Sequence, residues 1–143
     1  MKIYTDGSCS DNGMVKATCG WAIGIIKPSS TFELKGGSGL HPELIQLGYT
    51  IKTNNLAEVS AMIEALIIAE PNCTIYTDSQ YAKNMTEGTW KAKDNLYAVV
   101  LLQELWKAKG SPKIEWVRGH SGDLYNEIVD KHAYEMCMAD KER

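Results

Sequence analysis

The sequence predicts an α/β domain built on a mixed β-sheet, and three observations lead to that prediction. Segments with the alternating, β-branched pattern of strands are interleaved with segments that have helical spacing. Apolar residues make up 44% of the chain and charged residues 23%, as in ordinary globular proteins. A chain of 143 residues can bury one sizeable core but leaves no room for a second, so we expect a single domain over residues 1–143.

Five segments have the residue pattern of strands. For the third of them the pattern leaves two alternatives, residues 31–35 or 47–52, with a loop over residues 36–42 between the two. A turn-rich stretch, residues 7–13, is expected after the first strand. The other four predicted strands are residues 2–6, 18–27, 73–78 and 113–118.

Four segments have helical patterns, and all of them lie after residue 54. Residues 55–69 are rich in alanine and leucine and form the clearest helix, which Pro71 ends. Residues 95–109 have an amphipathic pattern. A short helix from Ser79 and a last helix over residues 124–138 complete the predicted order β-β-β-α-β-α-α-β-α. This order is typical of a mixed sheet flanked by helices.

The charge of the chain is unevenly distributed. The net charge is −3 at neutral pH, but residues 83–118 carry seven basic side chains against four acidic ones. This segment could present a modest positive face to a polyanion, although a solvated helix surface explains any single lysine at least as well. The sequence therefore permits a nucleic-acid partner without requiring one.

The four cysteines indicate a reducing compartment rather than a disulfide framework. They lie at positions 9, 19, 73 and 137, without a C-x-x-C pair or zinc-finger spacing. Free, mostly buried thiols are the simplest interpretation. No apolar run reaches the roughly 20 residues of a membrane span, and the apolar run near the N-terminus is too short for a signal peptide. We therefore expect a cytoplasmic protein without a membrane partner.

A short internal repeat is the first feature that indicates a functional site. The tetrapeptide Ile-Tyr-Thr-Asp ends at Asp6 and again at Asp78, each time at the carboxyl end of a predicted strand. A crossover connection would make the two strands parallel neighbours, and open α/β sheets bind ligands at such strand ends. At one strand spacing, about 4.8 Å, two carboxylates would repel each other by ~3.5 kcal/mol at an effective dielectric constant near 20. The pair therefore favours a hard cation, although either aspartate alone could simply begin a turn.

Further polar residues lie where helices begin. Glu58 is in the first turn of the clearest helix, where it could complete a capping box with Asn55 or supply a third carboxylate; the sequence leaves both open. Asn126 and Asp130 are four residues apart on the last predicted helix and so share a face. His120 lies between two glycines in a loop that could move over a site, although a lone loop histidine is more often a surface residue.

Four separated motifs resemble those of type 1 ribonuclease H. They are YTDGS at the first strand, TNNLAE at the start of the first long helix, YTDSQYA at the fourth strand and GHSGDLYNEIVD near the end. They occur in the order of that family and span essentially the whole chain, which makes the resemblance specific, whereas one motif alone would be weak. The resemblance implies a ribonuclease H-like fold with a five-stranded sheet, and an endoribonuclease that cuts the RNA strand of RNA–DNA hybrids.

The resemblance also implies roles for individual residues. Asp6, Glu58, Asp78 and Asp130 match the family's metal-binding carboxylates, which hold two Mg²⁺ or Mn²⁺ ions. In that scheme one ion activates the attacking water and the other stabilises the departing 3′-oxygen, so that products carry a 5′-phosphate and a 3′-hydroxyl. His120 matches a loop histidine that assists proton transfer or product release.

The same resemblance predicts the contacts to the RNA strand. Asn12, Asn54, Asn55 and Gln80 match residues that contact its minor groove, where small polar side chains can hydrogen-bond 2′-hydroxyl groups. Since phosphate and sugar contacts read no bases, cleavage is expected to be largely independent of sequence. Turn and helix-cap chemistry is the alternative explanation for the asparagines. The expected partner is the hybrid duplex, and the expected state is a monomer.

Two departures from the family pattern bear on affinity. The segment before the last motif lacks the family's basic protrusion, so that only Lys91 and Lys93 beside Trp90 remain, and weak, salt-sensitive binding is expected. Residues 36–47 look like an insertion, and residues 10–16 lack the usual richness in glycine and proline. Two other functions remain as alternatives: a nuclease of the same fold with another duplex preference, and a catalytically silent nucleic-acid-binding domain.

Overall fold

A five-stranded mixed sheet forms the centre of the computed structural model, which describes residues 1–119 and 122–142. The strands are β1 (Lys2–Ser10), β2 (Thr18–Ile26), β3 (Phe32–Ser38), β4 (Thr74–Thr77) and β5 (Lys113–Trp116). They lie in the order β3-β2-β1-β4-β5, with β2 antiparallel to both of its neighbours and β4 parallel to both of its own. The predicted five-stranded mixed sheet is confirmed.

Helices cover both faces of the sheet. They are α1 (Pro42–Gln46), α2 (Asn54–Ile68), α3 (Gln80–Glu87), α4 (Leu96–Ala108) and α5 (Leu124–Lys141). α5 packs on one face, against the first three strands, and α2 packs on the opposite face with α3 and α4 beside it. None of the helices in the described ranges is long and apolar enough to cross a membrane.

Strand alternation divides the apolar side chains between these two faces. Successive residues of a strand point to opposite sides, so Ile3 joins the large core beneath α2, whereas Tyr4 packs against Val129 and Ala133 of α5. The α5 side depends on a very close approach at Gly20 of β2. A Cβ atom at that position would lie 2.2 Å from the backbone nitrogen of Cys137, so only glycine lets the helix settle there.

The structure corrects two predictions near the N-terminal hairpins. β1 continues to Ser10, where a turn was predicted from residue 7, because residues 7–10 pair with residues 18–21 of β2. The third strand is Phe32–Ser38, so residues 36–38 belong to a strand rather than to a loop. The glycines of this segment fit because the ring of Trp21 fills the space where a side chain at Gly37 would lie. Residues 47–52 form no strand.

A short helix that the sequence pattern did not reveal, α1, follows β3. Pro42 occupies its first turn, where a missing N–H costs nothing. His41 caps the helix, since its Nδ1 accepts a hydrogen bond of 3.1 Å from the backbone nitrogen of Glu43. A five-residue helix has too few residues to show a periodic apolar pattern, so the cap is its main sequence signal.

Candidate metal centre

The two copies of the Ile-Tyr-Thr-Asp tetrapeptide lie side by side in the sheet. β1 and β4 pair in parallel with the copies in register, so that Thr5 is opposite Thr77. The rings of Tyr4 and Tyr76 stack with their centroids 4.6 Å apart. Asp6 follows Thr5 and Asp78 follows Thr77, so both carboxyl groups lie at the same end of the sheet. The neighbouring arrangement expected from the repeat is confirmed.

Three carboxyl groups converge at this end of the sheet. One oxygen from each of Asp6, Glu58 and Asp78 lies within 4.8 Å of the other two. Asp6 is only 2% exposed and Glu58 only 7%, while Asp78 is half-buried. They come from β1, from α2 and from the residue after β4, so the site joins segments that are far apart in the chain.

Glu58 reaches the cluster because α2 lies almost on the backbone of β1. A Cβ atom at Gly7 would stand 2.4 Å from the carbonyl carbon of Ala57, so no side chain fits between the strand and the helix. The capping-box alternative for Glu58 is wrong. The cap of α2 is Thr53, whose Oγ1 accepts a hydrogen bond of 3.1 Å from the nitrogen of Leu56.

Three carboxyl groups this close together, with little solvent around them, would be stabilised in their charged forms by a bound cation. Among the described residues, Asp6 Oδ2, Glu58 Oε1 and Asp78 Oδ1 are buried without a hydrogen-bond partner. Burial, and then the charge of Glu58, raises the pKa of Asp6 far above its ordinary value. Burial and the charge of Asp78 likewise raise the pKa of Glu58. Because unpartnered carboxylate oxygens are the ligands that Mg²⁺ and Mn²⁺ take, the residues present fit divalent cations.

Asp130 of α5 lies next to Asp6. It is half-buried, and its carboxyl group is near enough to hydrogen-bond Asp6. That contact adds to the effects of burial and of Glu58 in raising the pKa of Asp6. Asn126, one helical turn earlier, is buried, as expected for a residue on the same face. The fourth carboxylate of the predicted set is thus adjacent to Asp6, outside the group of three.

The four residues predicted to contact RNA are exposed around the same strand ends. Asn54 and Asn55 form the start of α2, and Gln80 is the first residue of α3. Oδ1 of Asn12 accepts a hydrogen bond of 2.6 Å from the backbone nitrogen of Asn54, so the β1–β2 loop is fastened to the helix start.

The cap explanation is wrong for the asparagines at the start of α2, because Thr53 performs that role. His120 lies outside the described residues, so its predicted role stays a prediction.

Two residues that support Asp78 were missed from the sequence. The indole nitrogen of Trp116 donates a hydrogen bond of 3.1 Å to the carbonyl oxygen of Asp78. Gly119 instead approaches the side chain of Asp78, since a Cβ atom there would lie 3.3 Å from Asp78 Oδ2. Nothing in the pattern of residues 113–118 marks Trp116 as a partner of the site. Gly119 was noticed only for its flexibility, whereas its small size also matters.

Comparison with known proteins gives consistent matches across the chain. The RNase H family model matches residues 1–138. A ribonuclease H from Oleidesulfovibrio alaskensis is 34% identical over 143 residues, which cover 90% of this chain and 84% of the relative. A ribonuclease H from Albidiferax ferrireducens is 37% identical over 147 residues, which cover 91% of this chain and 89% of the relative.

Solved structures agree at the level of the fold. RNase H1 from the halophilic archaeon Halobacterium salinarum superimposes with a TM-score of 0.69 at 18% identity, covering 94% of this chain and 96% of that one. The N-terminal RNase H domain of a Mycobacterium tuberculosis protein, solved as a fusion with maltose binding protein, gives a TM-score of 0.70 at 19% identity. That comparison covers 99% of this chain and 96% of the other.

Proposed function

The chain belongs to the RNase H family, and we propose that it hydrolyses the RNA strand of RNA–DNA hybrids with two divalent cations, Mg²⁺ or Mn²⁺. Residues 1–143 would act as a single catalytic domain. One observation supports the proposal more than the others. Asp6, Glu58 and Asp78 each bring a carboxylate oxygen within 4.8 Å of the other two, and each has a buried oxygen without a hydrogen-bond partner in the described chain. A silent binding domain would gain nothing from such a cluster, because it repels phosphates.

In this proposal Asp6, Glu58, Asp78 and Asp130 hold the cations. Once bound, the two cations would activate the attacking water and stabilise the departing 3′-oxygen, which leaves a 5′-phosphate and a 3′-hydroxyl. The protein contributes a rigid, largely buried set of ligands, because Gly7 lets α2 bring Glu58 against β1. His120 is assigned to proton transfer or product release, and His120→Ala is expected to lower turnover without abolishing it.

Strand choice in this proposal depends on Asn12, Asn54, Asn55 and Gln80. The 2′-hydroxyl is the group that distinguishes RNA from DNA, and these short amide side chains can both donate to it and accept from it. Their exposure and their attachment to helix starts beside the carboxylates support this role. Oδ1 of Asn12 accepts the bond from Asn54, and within the described residues its Nδ2 hydrogens have no partner, which leaves them available to a ligand.

The proposed setting is a cytoplasmic monomer. All four cysteines are free thiols, and three of them are buried, which agrees with a reducing compartment. Size-exclusion chromatography of the metal-loaded protein, alone and with a short hybrid, would report its oligomeric state. A dimer in either sample would contradict this part of the proposal.

The test is cleavage of an end-labelled RNA–DNA hybrid in Mg²⁺, in Mn²⁺ and in chelator. We expect metal-dependent cuts confined to the RNA strand, with 5′-phosphate and 3′-hydroxyl ends. Duplex RNA and duplex DNA of the same sequence serve as matched substrates. Cleavage of one of those duplexes in preference to the hybrid would replace the proposed substrate, and a folded protein that cuts none of them would overturn the nuclease proposal.

A further inference from the structure

A largely buried ion pair outside the carboxylate cluster is linked to the predicted RNA contacts. Asp140, near the end of α5, has a side chain only 3% exposed. Its Oδ2 accepts a hydrogen bond of 2.9 Å from the backbone nitrogen of Cys19 and one of 2.7 Å from Nζ of Lys52. The side chain of Lys52 is 29% exposed. The Asp140–Lys52 pair thus joins α5, the start of β2 and the segment that precedes α2.

Lys52 is also held through its backbone at the place where the β1–β2 loop meets α2. Its carbonyl oxygen accepts a hydrogen bond of 2.9 Å from the backbone nitrogen of Gly13. Asn12, which precedes Gly13, accepts a hydrogen bond from the backbone nitrogen of Asn54. The residue after Lys52 is Thr53, the cap of α2. Fixing Lys52 therefore restrains both the loop that carries Asn12 and the helix start that carries Asn54.

We propose that Asp140 is a positioning residue that, through Lys52, fixes the RNA-contacting loop and helix start while touching neither substrate nor metal. The inference rests on the proposed function, because it assigns the two asparagines to the RNA strand. The loop that carries Asn12 is exposed over residues 11–16 and contains glycine, so its geometry needs an external restraint. Separating the pair would leave the Asp140 carboxylate buried without a positive partner, which costs free energy. The pair therefore strongly restrains the position of Lys52.

The pair should influence substrate binding rather than the chemical step. None of the described contacts of Asp140 or Lys52 involves Asp6, Glu58 or Asp78. Loosening the pair would misplace the amide groups that bind the RNA strand. We expect KM for the hybrid to rise roughly tenfold, the size expected when one or two hydrogen bonds are lost, while kcat changes less than about twofold.

The experiment compares Asp140→Asn with Glu64→Gln as a matched control. Both changes convert a largely buried, lysine-paired carboxylate into an amide, but Glu64 binds Lys35 and His41 and makes no described hydrogen bond to Asn12, Lys52 or Asp140. Lys52→Met removes the same pair from its other end, and it replaces Asp140→Asn if that variant fails to fold. Lys52→Arg keeps a positive partner and should retain the wild-type KM.

The readouts are KM, kcat and amide hydrogen exchange at Gly13 and Asn54. The proposal expects faster exchange and a higher KM in Asp140→Asn and in Lys52→Met but not in Glu64→Gln or Lys52→Arg. An unchanged KM with unchanged exchange, or an equal rise of KM in Glu64→Gln, would overturn it. If the wild-type protein does not cleave the hybrid, the proposed function has failed, while the exchange rates still decide whether Asp140 fixes the loop.

Discussion

Asp6, Glu58 and Asp78 are individually unremarkable acidic residues that become chemically unusual only together. Each buries an oxygen without a hydrogen-bond partner in the described structure. Burial and mutual repulsion raise the pKa of both Asp6 and Glu58, which means that the charged forms cost free energy in the absence of a cation. The cluster therefore reduces the stability of the metal-free protein at neutral pH.

Asp6→Asn and Asp78→Asn are each expected to abolish cleavage of the hybrid. Because each change removes a repulsive charge, the free energy of unfolding in chelator should stay level or rise by about 1 kcal/mol, roughly 4 °C in Tm. Cleavage assays in Mg²⁺ and thermal unfolding in chelator measure the two effects. Asp11→Asn, at an exposed aspartate, is the control and should change neither. Wild-type cleavage by either cluster variant would refute a shared cation site.

Residue chemistry alone predicted part of this site. Asp6 and Asp78 could be predicted to lie together because both follow the same tripeptide, Ile-Tyr-Thr, on strand-forming segments. Glu58 could not be assigned, since a glutamate in the first turn of a helix fits a cap and a ligand equally well. Only the packing of α2 on Gly7, together with the cap at Thr53, distinguishes the two.

At the scale of elements, the approach of α2 to β1 sets the geometry of the site. Gly7→Ala would put a methyl group within 2.4 Å of the backbone at Ala57, so the first turn of the helix must move. We expect a loss of about 1–3 kcal/mol in the free energy of unfolding and a weaker affinity for Mg²⁺, since Glu58 moves with the turn. Chemical unfolding and calorimetric Mg²⁺ titration would measure these changes.

The neighbouring substitution Ser8→Ala provides the control for that prediction. It lies on the same strand, is half-buried and removes a small polar group without adding volume. A Gly7→Ala protein with the wild-type affinity for Mg²⁺ would show that the close approach does not position Glu58.

A second set of elements is joined by Glu64 of α2. Because Nδ1 of His41 accepts from Glu43, its Nε2 carries the hydrogen and donates to Glu64 Oε1 over 2.8 Å. Lys35 of β3 binds the other carboxylate oxygen. Burial would raise the pKa of Glu64, but the hydrogen bonds from Lys35 and His41 outweigh it, so the pKa is lowered.

The lowered pKa of Glu64 predicts a pH-dependent contribution to stability. A depressed folded-state pKa stabilises the protein above the unfolded value, about 4.3 for glutamate, and this contribution is lost as the pH falls through the folded value. Glu64→Gln should therefore cost about 1–3 kcal/mol at pH 7. The difference from wild type should vanish in strongly acidic solution. Urea unfolding across this pH range is the measurement, and a difference that stays constant with pH would contradict the ion-pair explanation.

The elements that were mispredicted share a physical cause. Residues 7–10 have the composition of a turn, yet they extend β1 because β2 supplies pairing partners to residue 18. Residues 36–38 are Gly-Gly-Ser, and the cover provided by Trp21 makes them strand. In both cases, contacts with a distant segment of the chain override the local propensity. Such contacts are not visible in the residues of the strand itself. The ion pair between Lys52 and Asp140 is beyond sequence reasoning for the same reason.

At the scale of the whole molecule, a net charge of −3 must coexist with the proposed polyanionic partner. The basic excess of residues 83–118 includes Lys91 and Lys93, which line a surface cavity of about 360 Å³ together with Trp90. Two lysines beside an exposed indole can bind a phosphate and stack on a sugar or base. We therefore propose that this surface neutralises phosphates of the hybrid.

Replacing Lys91 and Lys93 by alanine should weaken hybrid binding and reduce its salt dependence. Each lysine that neutralises a phosphate contributes about 0.9 to the slope of log affinity against log salt, so the slope should fall by about 2. Binding between about 50 and 200 mM salt, measured in an Asp78→Asn background to prevent cleavage, tests this. Lys27→Ala, which breaks the exposed pair with Glu33, is the control. An unchanged slope in the double variant would exclude this surface from the interface.

The twin tetrapeptides of β1 and β4 have a consequence for the chain before it folds. Identical side chains stacked in a parallel, in-register ladder are the arrangement found in amyloid fibrils. Within one molecule the ladder consists of only two strands, β1 and β4, because β2 and β5 pair with their outer edges. In a concentrated solution of unfolded chains, the first copy in one molecule pairs as well with the second copy in another. Refolding at high concentration should therefore favour strand-exchanged aggregates, which slow dilution would avoid.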